Sequence, residues 1–286
     1  MKHIKYFFQF IFIYSLFIIF RLIGFKLASN LSSKIAGLIG PFFRSKNLVV
    51  SNIVKALPNL DQNRIDKISK NMWSNYGRIL SEYVFIKDIR ESKIKDIIEI
   101  DGQIILDEIK KDNKPVIFIS GHFNNFELMA MHIEQSGINL AAVYRPLNNI
   151  FLNFLMEKIR KKYICKNQIK KGLSGTRELI KCFKNNISVA LMIDQRVSQG
   201  IKSNFFGQAA LTTTIPAQFV KKYNCTIVPV YIERKNNINF KITIHKPLKY
   251  KEDDTIENIT LKLNILLEKM IHENPDQWIW SHNRWK

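Results

Sequence analysis

The chain has 286 residues, with 44 lysines and arginines against 24 acidic residues and a formal net charge of +20. That length suits one large α/β domain or two small ones, and the charge favours anionic partners such as nucleic acid, a membrane surface, a phosphorylated lipid or an acidic carrier protein. The three cysteines (Cys165, Cys182 and Cys225) are odd in number and form no C-x-x-C pair, which argues against a disulfide framework or a zinc site and for a reducing compartment.

The first element is apolar. Tyr6 to Phe20 is almost entirely aliphatic and aromatic, with Lys2 and Lys5 before it and Arg21 and Lys26 after it. A perpendicular membrane span needs about 20 residues. Continued through Leu22–Phe25, with Arg21 snorkelling, the segment crosses a bilayer or lies deep in its interface. No small-x-small cleavage site follows, so it is not read as a removable signal peptide. More positive charge follows it (Arg21, Lys26, Lys34, Arg44, Lys46) than precedes it, which keeps the remainder cytoplasmic by the positive-inside rule. The competing reading is a buried core helix. Residues 1–27 are therefore expected to be a membrane anchor and residues 28–286 a single α/β domain.

Helical periodicity follows over Ala28–Ile39 and over Gln62–Phe85, the second with Asp61 as N-cap and Trp73, Tyr76, Ile79, Leu80 and Tyr83 at three- and four-residue intervals. From Ile100 onward the pattern alternates. Helices are expected at Gln103–Lys110, Asn125–Gln135, Ile150–Lys161, Leu173–Phe183, Ile215–Tyr223 (opened by Thr214 and Pro216) and Ile256–His272. Strands are expected at Val116–Ser120, Leu140–Tyr144, Val189–Ile193, Thr226–Ile232 and Phe240–His245. Short apolar strands between helices predict an α/β fold, a mostly parallel central sheet flanked by helices on both faces. Such sheets bind ligands at the carboxyl ends of their strands, where His122, Arg145 and Asp194 fall.

Gly121-His122-Phe123-Asn124-Asn125-Phe126-Glu127 is the most informative stretch. A histidine and a glutamate at a strand-to-helix turn can act as a general base and its orienting carboxylate. Five residues along a helix is about 500°, so the pair meets only if His122 is in the loop and Glu127 in the first helical turn. A second reading stands beside this one: Asn124 as N-cap and Glu127 at the third helical position make a capping box. Arg145, in Tyr144-Arg145-Pro146, can bind a phosphate or stabilise an oxyanion, or be a solvated loop cation. Asp194 can bind substrate, pair with Arg145 or cap a turn. Phe205-Phe206-Gly207 suggests an apolar wall with a tight turn, and Thr212-Thr213-Thr214 offers hydroxyls to an anion or to the helix start. Near the C-terminus, Trp278, Trp280, His282, Arg284 and Trp285 suit an interfacial belt or packing beneath a site, with His282 a second candidate base ranked behind His122. Neither G-x-x-x-x-G-K-[ST] nor G-x-G-x-x-G occurs, nor G-x-S-x-G, nor H-E-x-x-H, which disfavours nucleotide, serine-hydrolase and zinc-protease chemistry. No metal or cofactor is expected.

Together these residues resemble the late acyltransferases of lipid A biosynthesis, the Kdo-dependent lauroyl and myristoyl transferases. The marks, in order, are Gly121-His122-x-x-Asn125-x-Glu127, Tyr144-Arg145-Pro146, Asp194-Gln195, Phe205-Phe206-Gly207 and Trp280-x-His282-x-Arg284-Trp285, spread over nearly the whole chain. The chain departs from the family's Gly-Asn-Trp at Asn124-Asn125-Phe126 and from its Arg-Phe at Arg284-Trp285, which bears on acyl-chain preference more than on the reaction.

The resemblance implies a glycerolphosphate-acyltransferase-like fold at the bacterial inner membrane, with the catalytic domain on the cytoplasmic face. It implies an acyl carrier protein thioester as donor and a hydroxyl of a 3-hydroxyacyl chain on a phosphorylated lipid A precursor as acceptor. His122 and Glu127 are then the catalytic residues, and Arg145, Asp194, Asn125 and Phe206 the substrate-binding ones. No acyl-enzyme is needed, because the alcohol attacks directly. An acyltransferase acting on another glycolipid, of the phosphatidylinositol mannoside type, shares the same motifs. A non-catalytic basic membrane-surface protein suits the charge alone. No specific nucleic-acid partner is expected, since no nucleic-acid motif occurs and the basic residues are scattered.

Overall fold

A computed structural model describes residues 2–42 and 44–286. The chain begins with α1 (Lys2–Ile23), followed by α2 (Phe25–Ile39), α3 (Lys46–Ala56) and α4 (Gln62–Glu82). A 3-10 turn (Tyr83–Phe85) leads into the short α5 (Ile86–Arg90). The alternating part comprises β1 (Ile98–Asp101), α6 (Gln103–Asp112), β2 (Ile117–Ser120), α7 (Glu127–Gln135), β3 (Leu140–Tyr144), α8 (Ile150–Tyr163), β4 (Asn167–Lys170), α9 (Leu173–Lys184) and β5 (Ser188–Met192). It continues through β6 (Ile201–Phe205), β7 (Gln208–Thr212), α10 (Ile215–Tyr223), β8 (Ile227–Lys235), β9 (Asn239–Ile244) and α11 (Ile256–Glu273).

Seven strands form one sheet in the order β1-β9-β8-β2-β5-β3-β4. All of its pairings are parallel except β8 with β9. The expected mostly parallel sheet flanked by helices is present. β2 lies at its centre, and Ile117, Phe118 and Ile119 are each at most 2% exposed, as a strand covered on both faces requires. β6 and β7 stand apart as an antiparallel hairpin turning at Phe206-Gly207. Sequence periodicity missed α3, β1, β4 and this hairpin. Each of these strands is only four or five residues long, and β1 and β6 alternate between more and less buried positions with polar residues on the open face.

The single helix expected over Gln62–Phe85 stops at Glu82 and turns 3-10, although Asp61 does cap it, accepting from the Arg64 N–H at 2.8 Å. The boundary after the first apolar helix falls at Gly24 rather than after residue 27, because Gly24 has φ +82° and breaks the helix there. α1 is long and apolar enough to cross a membrane and mostly exposed; at 1.5 Å per residue its 22 residues extend about 33 Å. It is fixed to the rest of the chain at both ends. Arg21 pairs with Asp88, and the Tyr6 carbonyl accepts from the Asn149 amide at 2.8 Å.

α2 and α4 pack closely. A β-carbon on Gly77 would come within 2.1 Å of the Ser32 carbonyl oxygen, so only glycine allows this approach. Gly77→Ala is expected to destabilise the protein by about 1–3 kcal/mol through forced separation of the two helices, read as a lowered denaturant midpoint.

Candidate active site

The site is built on the turn from β2 to α7. A β-carbon on Gly121 would lie 2.9 Å from the Phe123 ring and 3.2 Å from Asp194 Oδ2. Glycine therefore lets a carboxylate close onto the turn. Asn124 takes a left-handed conformation, φ +46°, which asparagine tolerates better than most residues. Its side chain accepts from the Asn125 N–H at 2.7 Å and donates to Gln277 at 2.5 Å. Asn124 is thus not the cap of α7, whose first residue is Glu127 and whose N-cap, Phe126, makes no side-chain bond. The capping-box reading does not describe this turn.

The carboxylate that holds His122 belongs to Asp194, just beyond the end of β5. Its Oδ1 lies 2.8 Å from His122 Nδ1, while Oδ2 accepts from the His122 N–H at 2.7 Å and from the Trp278 indole at 2.9 Å. β2 and β5 are paired neighbours, so residues 122 and 194 leave the same edge of the sheet side by side. Asp194 is fully buried. Burial alone would raise its pKa, but the His122 ring, its hydrogen bonds and the Trp278 indole outweigh that and hold the carboxyl down at about 2. With Nδ1–H donating to Asp194, Nε2 carries the lone pair. That nitrogen lies 3.4 Å from the Gln195 amide, and the Phe126 ring meets the imidazole edge-on at 4.9 Å. A cavity of about 30 Å³ opens beside His122 between Tyr76, Ile79 and Ile279.

Glu127 does not reach His122. It is buried against Tyr83, whose hydroxyl donates to it, and against Arg160, whose Nε and Nη2 lie 2.8 and 2.5 Å away. As the first residue of α7 its side chain points toward α8, away from the loop that carries His122. The expected His122–Glu127 pair is replaced by His122–Asp194, so that Asp194, expected as a substrate-binding residue, is the carboxylate that meets the imidazole.

Asn125 is fully buried, and its amide donates to Glu82 at 3.0 Å. Glu82 in turn holds the Arg234 guanidinium and the Ser29 hydroxyl. Asn125 therefore ties the turn to α2 and α4. Phe206 sits on the hairpin turn with φ +53°. Its N–H donates to Glu268 at 2.7 Å and its ring lies against His272. Its neighbour Phe205 is the one that packs beneath the site, against Trp278 and Trp285. Arg145 is exposed just past the end of β3. Sequence reasoning passed over Trp278 as a partner of Asp194, and over Arg160 and Tyr83 as partners of Glu127. Only the Asp194-Gln195 dipeptide at a strand end signalled the true partner of His122.

The model of the family described as "Bacterial lipid A biosynthesis acyltransferase" matches residues 1–286. The chain belongs to this family. It is an O-acyltransferase of lipid A biosynthesis, and acyl transfer onto a lipid A precursor is the reaction its family supports. Among its relatives, the "Lipid A biosynthesis acyltransferase" of Haemophilus influenzae is 22% identical over 242 residues, 82% of this chain and 75% of that one. The Escherichia coli "Lipid A biosynthesis palmitoleoyltransferase" is 22% identical over 90% of this chain and 84% of its own length. The Escherichia coli "Lipid A biosynthesis lauroyltransferase" is 23% identical over 85% and 79%.

In this lipid A acyltransferase the C-terminal segment closes the site from behind. Phe123 bridges to Trp278, and Gln277 holds Asn124. His282 accepts the Arg196 N–H on Nε2 at 3.1 Å, and burial lowers its pKa to about 4. It is therefore neutral at physiological pH, with that lone pair already engaged by a backbone N–H. Arg284 is fully buried over the Phe205 ring, donating to the Leu211 carbonyl and the Thr212 hydroxyl at 2.7 Å each. Burial depresses its pKa to about 10.

Proposed function

We propose that the enzyme moves a fatty acyl group from an acyl carrier protein thioester to a hydroxyl of a 3-hydroxyacyl chain on a phosphorylated lipid A precursor, with His122 as general base and Asp194 holding it. The observation that carries this reading is the imidazole geometry, with Nδ1 on the buried Asp194 carboxylate at 2.8 Å in a ring that stays 21% exposed. Nε2 takes the proton as the acceptor oxygen attacks the thioester carbonyl carbon. The tetrahedral adduct then collapses, an ester forms, the C–S bond breaks, and the imidazolium returns the proton to the departing thiolate. Asp194 keeps the tautomer correct and favours the transient imidazolium, as a carboxylate does in a hydrolase triad. Gln195, beside Nε2, is placed to offer a donor to the developing oxyanion. Glu127 acts at one remove, fixing the start of α7 through Arg160 and Tyr83.

The net charge of +20 suits an acidic carrier as donor. α1 serves as the anchor to the inner membrane, and the positive charge that follows it keeps the catalytic domain, of glycerolphosphate-acyltransferase-like type, on the cytoplasmic face. The test is transfer from acyl carrier protein thioesters of several lengths to a Kdo-bearing tetraacyl precursor, followed by mass spectrometry. A gain of one acyl group is expected, reduced by at least about a thousandfold in His122→Ala with fold and membrane association intact. Full activity in that variant removes His122 from the reaction, and no gain with any donor moves the acceptor to another glycolipid.

A further inference from the structure

Along the carboxyl edge of the sheet, β2, β5, β3 and β4 are successive neighbours. The residues that follow them therefore form a row: His122, then Asp194-Gln195-Arg196, then Arg145, then Lys171. The Lys171 N–H donates to the Tyr144 carbonyl at 2.8 Å, one step beyond the Tyr144–Lys170 pairing of β3 with β4. Arg145 and Lys171 thus leave adjacent strands together. Of the acids nearby, Glu157 engages Lys170 and the Tyr144 hydroxyl and Glu127 engages Arg160, while Glu178 acts on Tyr144 and not on Lys171. Among the described residues neither Arg145 nor Lys171 takes part in an ion pair. Both are exposed. Partial desolvation and then the positive charge of Arg145 press the Lys171 ammonium pKa down, with Asp194 acting the other way. Two cations are thus held close together, within the field of the dyad, without a carboxylate of their own.

The same loop is tied to α1. Asn149 donates to the Tyr6 carbonyl, and Phe151 packs its ring against Phe7 and Phe10. Leu147, Ile150 and Phe154 are exposed beside it, Phe154 at 73%. The pair of cations therefore stands at the root of an apolar surface continuous with α1.

We propose that Arg145 and Lys171 form a subsite for a phosphomonoester on the headgroup of the lipid acceptor, with Lys171 setting the preference for a phosphorylated acceptor. This deepens, and rests on, the acyl-transfer reading above. A phosphate monoester carries close to two negative charges. A guanidinium binds it through paired donors and an ammonium adds a point charge. The apolar surface beside the pair favours a headgroup whose chains remain in the membrane over a soluble anion. A phosphate on the donor's thiol-bearing arm offers the same chemistry, and the donor measurement separates the two.

The experiment uses the full chain in detergent micelles, with a Kdo-bearing bisphosphorylated tetraacyl glycolipid and the same lipid stripped of its phosphates as acceptors. Lys171→Met is expected to raise KM for the phosphorylated acceptor by about 10- to 100-fold, the scale of one charge-assisted hydrogen bond. The penalty disappears with the stripped acceptor, KM for the donor does not move, and Lys171→Arg recovers most of the loss. An equal penalty on both acceptors, a shift in donor KM or no change at all overturns the proposal. If the wild-type chain acylates neither lipid, the acyl-transfer reading has failed. Equilibrium binding of the two lipids then decides the subsite alone. A wild-type preference for the phosphorylated form that Lys171→Met abolishes supports it, and equal binding of both lipids overturns it.

Discussion

Asp194→Asn is expected to lower kcat by about three to four orders of magnitude while leaving the fold intact. The size follows from the loss seen when the carboxylate of a carboxylate–histidine pair becomes an amide. The cause lies in the geometry around residue 194. One oxygen there accepts from both the His122 N–H and the Trp278 indole, so an asparagine keeps its carbonyl on that side. Its NH₂ group then faces His122 Nδ1, which must become an acceptor. The ring proton moves to Nε2, and the nitrogen that should take the proton from the acceptor hydroxyl already carries one. Acyl transfer followed by mass spectrometry, with circular dichroism as the control for folding, checks this. Activity within tenfold of wild type would show that Asp194 does not set the tautomer.

Glu127→Ala is expected to act on stability. Glu127 and Arg160 form an ion pair with side chains only 8% and 12% exposed. Coulombic attraction to Glu127 raises the arginine's pKa further even against its burial. Removing the carboxylate strands a guanidinium away from water, at a cost of about 3–5 kcal/mol. The Tyr83 hydroxyl loses its acceptor in the same step. Arg160→Met in the same chain removes the stranded charge, so the double variant should recover a large part of the loss, as coupled neighbours do. Urea unfolding of the two single variants and the double variant measures this. Additive losses, or a single-variant loss below about 1 kcal/mol, would contradict a paired role for these residues. Together the two variants are expected to separate the carboxylates, with a loss in rate and little change in stability at residue 194, and a loss in stability at residue 127.

The difference between these carboxylates marks how far the sequence could be read. The central strands and the placement of His122, Arg145 and Asp194 at strand ends were legible, because apolar runs and the residues just after them carry a local signal. Which acid meets His122 was not. Glu127 is five residues away in the chain and Asp194 is 72 away, and only the β2–β5 pairing makes the distant one the neighbour. The same holds for Trp278, which reaches Asp194 from the last turn of chain, and for Arg160, which reads as one more cation on α8 until the fold sets it against Glu127. Asn125 and Phe206 lie in family motifs, and each is held by the scaffold. The amide of the first is buried on Glu82, and the backbone of the second is fixed by Glu268.

The three hydrogen bonds on Asp194 also impose an order in time. His122 precedes the carboxylate in the chain, but the Trp278 indole follows it by 84 residues. At about 5–20 residues per second, a ribosome makes that indole roughly 4–17 s after Asp194. α1 emerges before either. The apolar helix, long enough to cross a bilayer, is therefore complete while the carboxylate still lacks its last donor, and on the anchored reading proposed above delivery to the membrane precedes completion of the His122–Asp194 pair.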